Sequence, residues 1–206
     1  MVEDCAHCTG GWIAGGPAGR FGTLAVTSLY ATKLVTCGEG GLIACSDVAL
    51  AARLRDLRSC DHREGPGIRF NYKMSDLAAS VGLVQLDRLN LFLDRRRAIA
   101  ARYRQALMGG TRVRPLFPPG DAREVVFRFC LVEAEGLVEE MRRCFREKGI
   151  LVERPIYHPL WQELPGSSPL PGSAWLHEHL FSVPLYPALE EQELERVQEI
   201  LSEVAR

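Results

Sequence analysis

An α/β chain is what this sequence predicts, on three observations. Short β-branched and apolar runs, Thr23 to Leu29 and Gly41 to Cys45, are bounded by glycines and read as buried strands. Two capped helical stretches follow: Asp47 opens one running to about Arg58, and Ser75-Asp76 opens a longer helical region. Both caps place a side-chain oxygen where it can accept the free amides of a first turn. Beyond Gly109-Gly110 and the prolines at 115, 118 and 119 the pattern changes, and strand and helix signals alternate again to the end of the chain.

In chain order, Val2 to Cys5 reads as the tail of a strand, and Thr9 to Gly22 (GGWIAGGPAGRFG at its heart) as a glycine-rich loop. In the helical region after Ser75, the apolar residues Leu77, Val81, Val84, Leu86, Leu89 and Phe92 recur near helical spacing. Asp94 to Arg97 and Arg102 mark its wetter face. Val125 to Glu133 reads as a strand, Leu137 to Lys148 as a helix stopped by Gly149, and Ile150 to Tyr157 as another strand. Pro159 to Ser173 is rich in Pro, Gly and Ser and reads as loop. Glu190 to Val204 closes the chain as an amphipathic helix. No internal repeat is present.

Composition narrows the function classes. The chain has 206 residues, 47% of them hydrophobic, which is enough for a real core in one or two domains. Its 25 basic and 26 acidic residues nearly cancel, so no electrostatic case exists for a nucleic-acid or anionic-membrane partner. No apolar run approaches the roughly 20 residues of a membrane span, and Met1-Val2-Glu3-Asp4 lacks the pattern of a signal peptide. Seven cysteines, an odd number scattered through apolar segments, fit reduced thiols and a cytoplasmic setting. Cys5-x-x-Cys8 has no second Cys/His pair at metal-ligand spacing, so no metal site is expected. The glycine loop lacks the Gly-Lys-Ser/Thr ending of a triphosphate-binding loop. Arg95 to Arg97 reads as a solvated helix face, and His158, His177 and His179 as loop or structural histidines.

Two short strings can carry chemistry. In Ser28-Leu29-Tyr30-Ala31-Thr32-Lys33, a strand ends on a hydroxyl residue and a lysine follows in a turn, just ahead of Gly38-Glu39-Gly40-Gly41. A lysine so placed can be desolvated, lose its proton and attack an aldehyde; an ordinary surface lysine is the competing reading. In Glu3-Asp4-Cys5-Ala6-His7 an acid at a strand end precedes an imidazole by three residues. A carboxylate can keep a pyridinium nitrogen protonated and a neighbouring donor can hold a ring hydroxyl, which is how a protein tunes pyridoxal phosphate. A strand-end cap beside a polar loop histidine is the alternative there.

Taken together, EDCAH, the glycine loop ending RFG, TSLYATKLVTCGEGGLIACSD, FNYKMSDLAASVGLVQLDRL, RRRAIAARY, GILVERPIYHPL and SVPLYP resemble the second half of the DegT/DnrJ family of sugar aminotransferases. The resemblance covers nearly the whole chain. It implies a partial fold type I PLP-dependent transferase: a remnant of the large PLP-binding domain over 1–75, a linking helical region over 76–108, and a smaller C-terminal α+β domain over 109–206. It also implies pyridoxal 5'-phosphate as cofactor, with Lys33 holding it as a Schiff base and moving the proton between substrate and cofactor carbons. Asp4 would pair with the pyridine nitrogen, His7 would lie near the ring hydroxyl, and Ser28 would bind the phosphate. Asn71 matches a residue that reaches the partner's phosphate across a dimer interface, so a homodimer is implied. The amino donor is commonly glutamate and the acceptor a nucleotide-linked keto-sugar, for a surface polysaccharide or a secondary metabolite. A branch of the family with histidine in place of the lysine dehydrates its substrate; Lys33 argues against that branch.

The sequence departs from the family in two kinds of place. Lys73 stands where the family usually has Arg, keeping charge but losing bidentate geometry, and Leu34 stands where it often has Asn. The family's N-terminal half, with several strands of the central sheet and a phosphate-binding turn, is expected to be missing ahead of Met1. The strands at 2 to 5, 23 to 29 and 41 to 45 would then expose sheet edges and an apolar face. Two expectations follow: an aminotransferase completed by that half, or a catalytically silent fragment acting at most as a protein-interaction or dimerisation module.

Overall fold

The computed structural model describes residues 1–13, 15–61, 65–120, 123–168 and 170–206. Ala14 and Pro169, inside the two segments read as loop, lie outside them. The chain divides into two units. The first comprises Met1–Leu93 with Arg123–Phe127, and the second Asp94–Ala122 with Arg128–Arg206.

The first unit is built on a three-stranded sheet in the order β1-β4-β5, from β1 (Val2–Asp4), β4 (Leu24–Ser28) and β5 (Gly41–Ala44). β1 and β4 run parallel, with Asp4 opposite Val26; β4 and β5 run antiparallel, with Ser28 opposite Gly41. The glycine-rich segment is not wholly loop, since β2 (Trp12–Ile13) and β3 (Gly16–Pro17) form a two-residue antiparallel ribbon. Helix α1 (Val48–Leu57) starts on Asp47, whose carboxylate accepts the Leu50 amide at 3.0 Å. Helix α2 (Asp76–Asp87) starts on Ser75, whose hydroxyl accepts the Ala78 amide at 3.2 Å. The long helical region is interrupted at Arg88, after which α3 (Leu89–Ala106) carries the chain into the second unit.

Burial corrects the reading of these elements. Every residue of β5 is exposed, α1 buries no residue, and α2 buries only Gly82. Leu77, Val81, Val84 and Leu86 are apolar at helical spacing and yet exposed, because among the described residues no element of this unit covers them. One buried cluster here consists of Leu29, Val35 and Cys37, with Met74, Ala78 and Leu89 packed on it, and Cys5, Ala25, Leu34, Leu93 and Val126 are buried as well.

The second unit has an antiparallel sheet in the order β6-β7-β8, from β6 (Val113–Pro115), β7 (Phe129–Glu133) and β8 (Leu180–Val183). Helix α4 (Val138–Glu147) ends before Gly149, whose φ of 78° only glycine adopts at low cost. Helix α7 (Glu191–Val204) buries Leu194, Val197, Ile200, Leu201 and Val204 along one face, and the side chains of Glu190 and Glu193 cap its start reciprocally. Ile150 to Tyr157 is not a strand; only Glu153 bridges to Ser182. Within the expected loop, α5 (Leu160–Glu163) and α6 (Pro171–His179) form, the latter with Pro at its first position, where the missing N–H costs nothing.

The run Arg95 to Arg97 is also not a solvated face. Arg96 is 6% exposed and donates to the Leu185 carbonyl at 2.9 Å, while Arg95 donates to the Leu189 carbonyl at 2.9 Å. These two arginines tie α3 to the segment before α7. His179 is a buried structural residue, stacked on Trp175 with its Nδ1 2.6 Å from the Glu133 carbonyl oxygen. Among the described residues no helix is long and apolar enough to cross a membrane, and no group of three or more His, Cys, Asp or Glu residues could hold a metal ion.

Candidate active site

The site is built at the carboxyl ends of the parallel strands β1 and β4, where ligands of α/β sheets characteristically bind. β1 ends on Asp4 and β4 on Ser28. The Asp4 carboxylate is exposed and accepts the Ala6 amide at 3.0 Å, starting the turn that presents His7. That turn is tied to β4. The Cys5 amide donates to the Val26 carbonyl at 2.7 Å, the Thr27 hydroxyl to the Cys5 carbonyl at 3.2 Å, and the Thr9 and Thr27 hydroxyls meet at 2.8 Å.

Ser28 opens the second turn. Its hydroxyl accepts the Tyr30 amide at 3.3 Å, and the Lys33 amide donates to the Tyr30 carbonyl at 2.9 Å. The neighbours of Lys33 are anchored inside: Leu34 and Val35 are buried, and Cys37 returns its amide to the Leu29 carbonyl at 3.0 Å. Lys33 itself is half-buried.

The chain has three lysines, and their surroundings differ. Lys73 pairs with Asp61 and Lys148 with Glu203. Among the described residues Lys33 has no carboxylate partner. Its Nζ lies over the ring of Phe127, 5.4 Å from the centroid, and His7 stacks on the same ring with centroids 3.9 Å apart and planes 13° apart. The structure thus brings His7 and Lys33 onto one aromatic side chain. Asp4 and Ser28 sit at the starts of the turns that carry them.

Asn71 stands apart. It is exposed on a segment that runs beside the end of α1, where Phe70 and Tyr72 donate their amides to the Leu57 and Arg58 carbonyls. Lys73, on the same segment, is engaged by Asp61 and holds that carboxyl below its ordinary range through a hydrogen bond.

Two neighbours have roles that sequence reasoning missed. Glu3, beside Asp4, is a scaffold group: its carboxylate accepts the amides of Gly22 at 2.5 Å, Phe21 at 2.6 Å and Gly19 at 2.9 Å. These bonds, the Gly22 bond foremost, hold its pKa below the ordinary 4.5. The alternation along β1 already separated Glu3 from Asp4 by face. Phe127 was read as part of one strand over Val125 to Glu133, whereas the strand begins at Phe129. No local signal distinguishes the two halves of that run. The Cys8 thiol is pushed up to about 11, by burial first and then by the Cys5 side chain, which leaves it protonated at neutral pH.

The chain is similar to known proteins. The family described as DegT/DnrJ/EryC1/StrS aminotransferase matches residues 1–202. A GDP-perosamine synthase of Caulobacter vibrioides is 31% identical over 168 residues, covering 78% of this chain and 45% of the relative. Among solved structures, the aminotransferase TlmJ from Streptoalloteichus hindustanus is similar with a TM-score of 0.90 at 29% identity, over 98% of this chain and 57% of that one. S. venezuelae DesV, solved in complex with a ketimine intermediate, matches with a TM-score of 0.87 at 28% identity, over 100% and 57%. The chain therefore spans about half the length of the relatives it matches, and its fold is that of a partial fold type I transferase. With all but its last four residues matched, the chain belongs to the DegT/DnrJ/EryC1/StrS aminotransferase family.

Proposed function

We propose that this chain carries the lysine-bearing part of a PLP-dependent aminotransferase that aminates a nucleotide-linked keto-sugar, and that it works together with the part of its relatives that it does not cover. The observation that carries the reading is Lys33: the one lysine without a carboxylate partner among the described residues, half-buried, and gathered with His7 where β1 and β4 end. Aminotransferases of this family depend on pyridoxal 5'-phosphate.

The residues present fit that group. An exposed carboxylate at Asp4, a lysine with no ion pair among the described residues and a hydroxyl at the end of β4 are the donor set that a protonated pyridine, an aldehyde and a phosphate call for. When bound, pyridoxal 5'-phosphate supplies an electron sink through which an amino group passes from donor to acceptor. Asp4 would face the ring nitrogen and keep it protonated, His7 would hold the ring hydroxyl, and Ser28 would hold the phosphate. Lys33 would be the amine that holds the aldehyde and the base that moves a proton at the reacting carbon. Asn71, on its separate segment, serves the phosphate of a second subunit in a homodimer. Glutamate is the donor we expect.

The test mixes the chain with pyridoxal 5'-phosphate, alone and with a polypeptide supplying the uncovered part of its relatives, followed by borohydride and peptide mass analysis. Fixation at Lys33 in the second mixture, poor fixation in the first and none in Lys33→Ala is the expected result, because a lysine and a carboxylate alone supply little orientation. A specific observation favours a second reading, a silent module that binds another protein. β5 exposes Leu42 and Ile43, and with Leu54, Leu57, Phe70 and Tyr72 these line an open cavity of about 800 Å³. No fixation in either mixture would decide for that module.

A further inference from the structure

Phe127 arrives at the site on a strap. Residues Arg123–Phe127 pack in the first unit although the chain on either side belongs to the second. Along the strap, alternate residues meet positions 12, 11 and 7 of the segment that follows β1. The guanidinium of Arg123 lies 4.4 Å from the centroid of the Trp12 ring, Val125 presses on Gly11, and Phe127 stacks on His7. A Cβ at Gly11 would come within 2.9 Å of the Cys8 carbonyl oxygen and 3.2 Å of a Val125 methyl, so a side chain there would crowd both the loop's own backbone and the strap. A period of two is that of extended backbone, and Val126, of opposite parity, is buried.

We propose that Phe127 is a positioning residue for the site: one ring holds the His7 imidazole by a face stack and gives the Lys33 ammonium a resting face, so that two groups from separate turns keep a fixed relation. The proposal rests on the functional reading above. A lysine stem has many rotamers, and an amine that must leave and return to one carbon benefits from a defined resting place. An aromatic face supplies it through its quadrupole without the strong pairing a carboxylate would impose. A parallel ring contact likewise removes rotational freedom from an imidazole that is otherwise exposed on a turn.

Because the chain has only three lysines, the idea can be read directly. Reductive ¹³C-methylation of the full chain gives NMR signals from three lysines beside that of the N-terminal amine. Lys33 is expected to show an upfield ring-current shift, and the His7 ring protons likewise. Phe127→Leu should abolish both shifts and Phe127→Tyr should keep them, while the Lys73 signal, held by its Asp61 pair in the same unit, reports that the variant is folded. In the completed assembly, Phe127→Leu should slow cofactor fixation at Lys33 about tenfold and Phe127→Tyr less than about twofold, the scale expected for lost orientation. Shifts that are absent in the unsubstituted chain, or that survive Phe127→Leu, overturn the proposal whatever fixation does. Fixation that fails in the unsubstituted assembly while the shifts are present overturns the functional reading instead. Equal fixation by the Leu and unsubstituted proteins removes the positioning role even where the contact is real.

Discussion

The two units of this chain use similar apolar residues to different effect. In the second, Leu131, Phe145, Phe181, Leu194 and Leu201 are fully enclosed and α7 lays a continuous apolar face into the core. In the first, Ile43 on β5 is 54% exposed and Leu77 on α2 80% exposed. The difference teaches that an apolar side chain stabilises only where something covers it: area that stays in water contributes nothing to the hydrophobic term. The second unit owns its core, whereas the first presents much of its apolar surface outward.

The largest expected effect tests that contrast head on. Phe145→Ala should cost about 3–5 kcal/mol, since it empties a packed site against Phe181, whereas Ile43→Ala should stay within about 0.5 kcal/mol. Urea unfolding followed by Trp161 and Trp175, both in the second unit, reads the first loss, and Trp12 reads the first unit. Comparable losses at the two positions would erase the distinction.

Two carboxylates that each accept several backbone amides sharpen the comparison, Glu133 in the second unit and Glu3 in the first. Glu133 is fully buried and accepts the Leu137 amide at 2.6 Å and the Glu135 amide at 3.0 Å, with Arg112 at 3.1 Å. Glu133→Ala should destabilise the second unit by about 3 kcal/mol in the same unfolding measurement, since it strands two amides and takes from Arg112 the buried one of its two carboxylate partners. A loss below about 1 kcal/mol would show that water replaces the carboxylate readily.

Glu3 is the counterpart in the first unit, and its effect is the smallest of the three. Its pKa in the folded chain lies below 4.5, so its contribution is fully present above that pH and is lost as pH falls through the depressed value. Hydrogen exchange at Gly19, Phe21 and Gly22 should accelerate as the solution is acidified past pH 4.5, relative to the intrinsic rate, and Glu3→Gln should flatten that dependence. Exchange that does not respond to acid would mean the loop is held by something else.

Local signals carried much of the secondary structure. Asp47 and Ser75 cap their helices through the hydrogen bonds expected of them, α4 stops before Gly149, and α7 is amphipathic as its pattern required. Capping and periodicity are properties of a few consecutive residues, so they can be read without knowing the partners. Helices α5 and α6 were hidden because Pro, Gly and Ser dominate their segment, and a proline at a helix start is also a loop signal. Arg96 looked solvated because its type usually is; it is buried and donates to the Leu185 carbonyl, brought from far along the chain.

By itself the sequence determined the family, the caps and the two strand-to-turn strings that hold Asp4, His7, Ser28 and Lys33, because each is encoded by neighbours in the chain. Tertiary structure decided which apolar faces are covered, that Glu3 is scaffold, and that Phe127 meets both His7 and Lys33. Burial and long-range contact depend on residues distant in the chain, and no local pattern contains them.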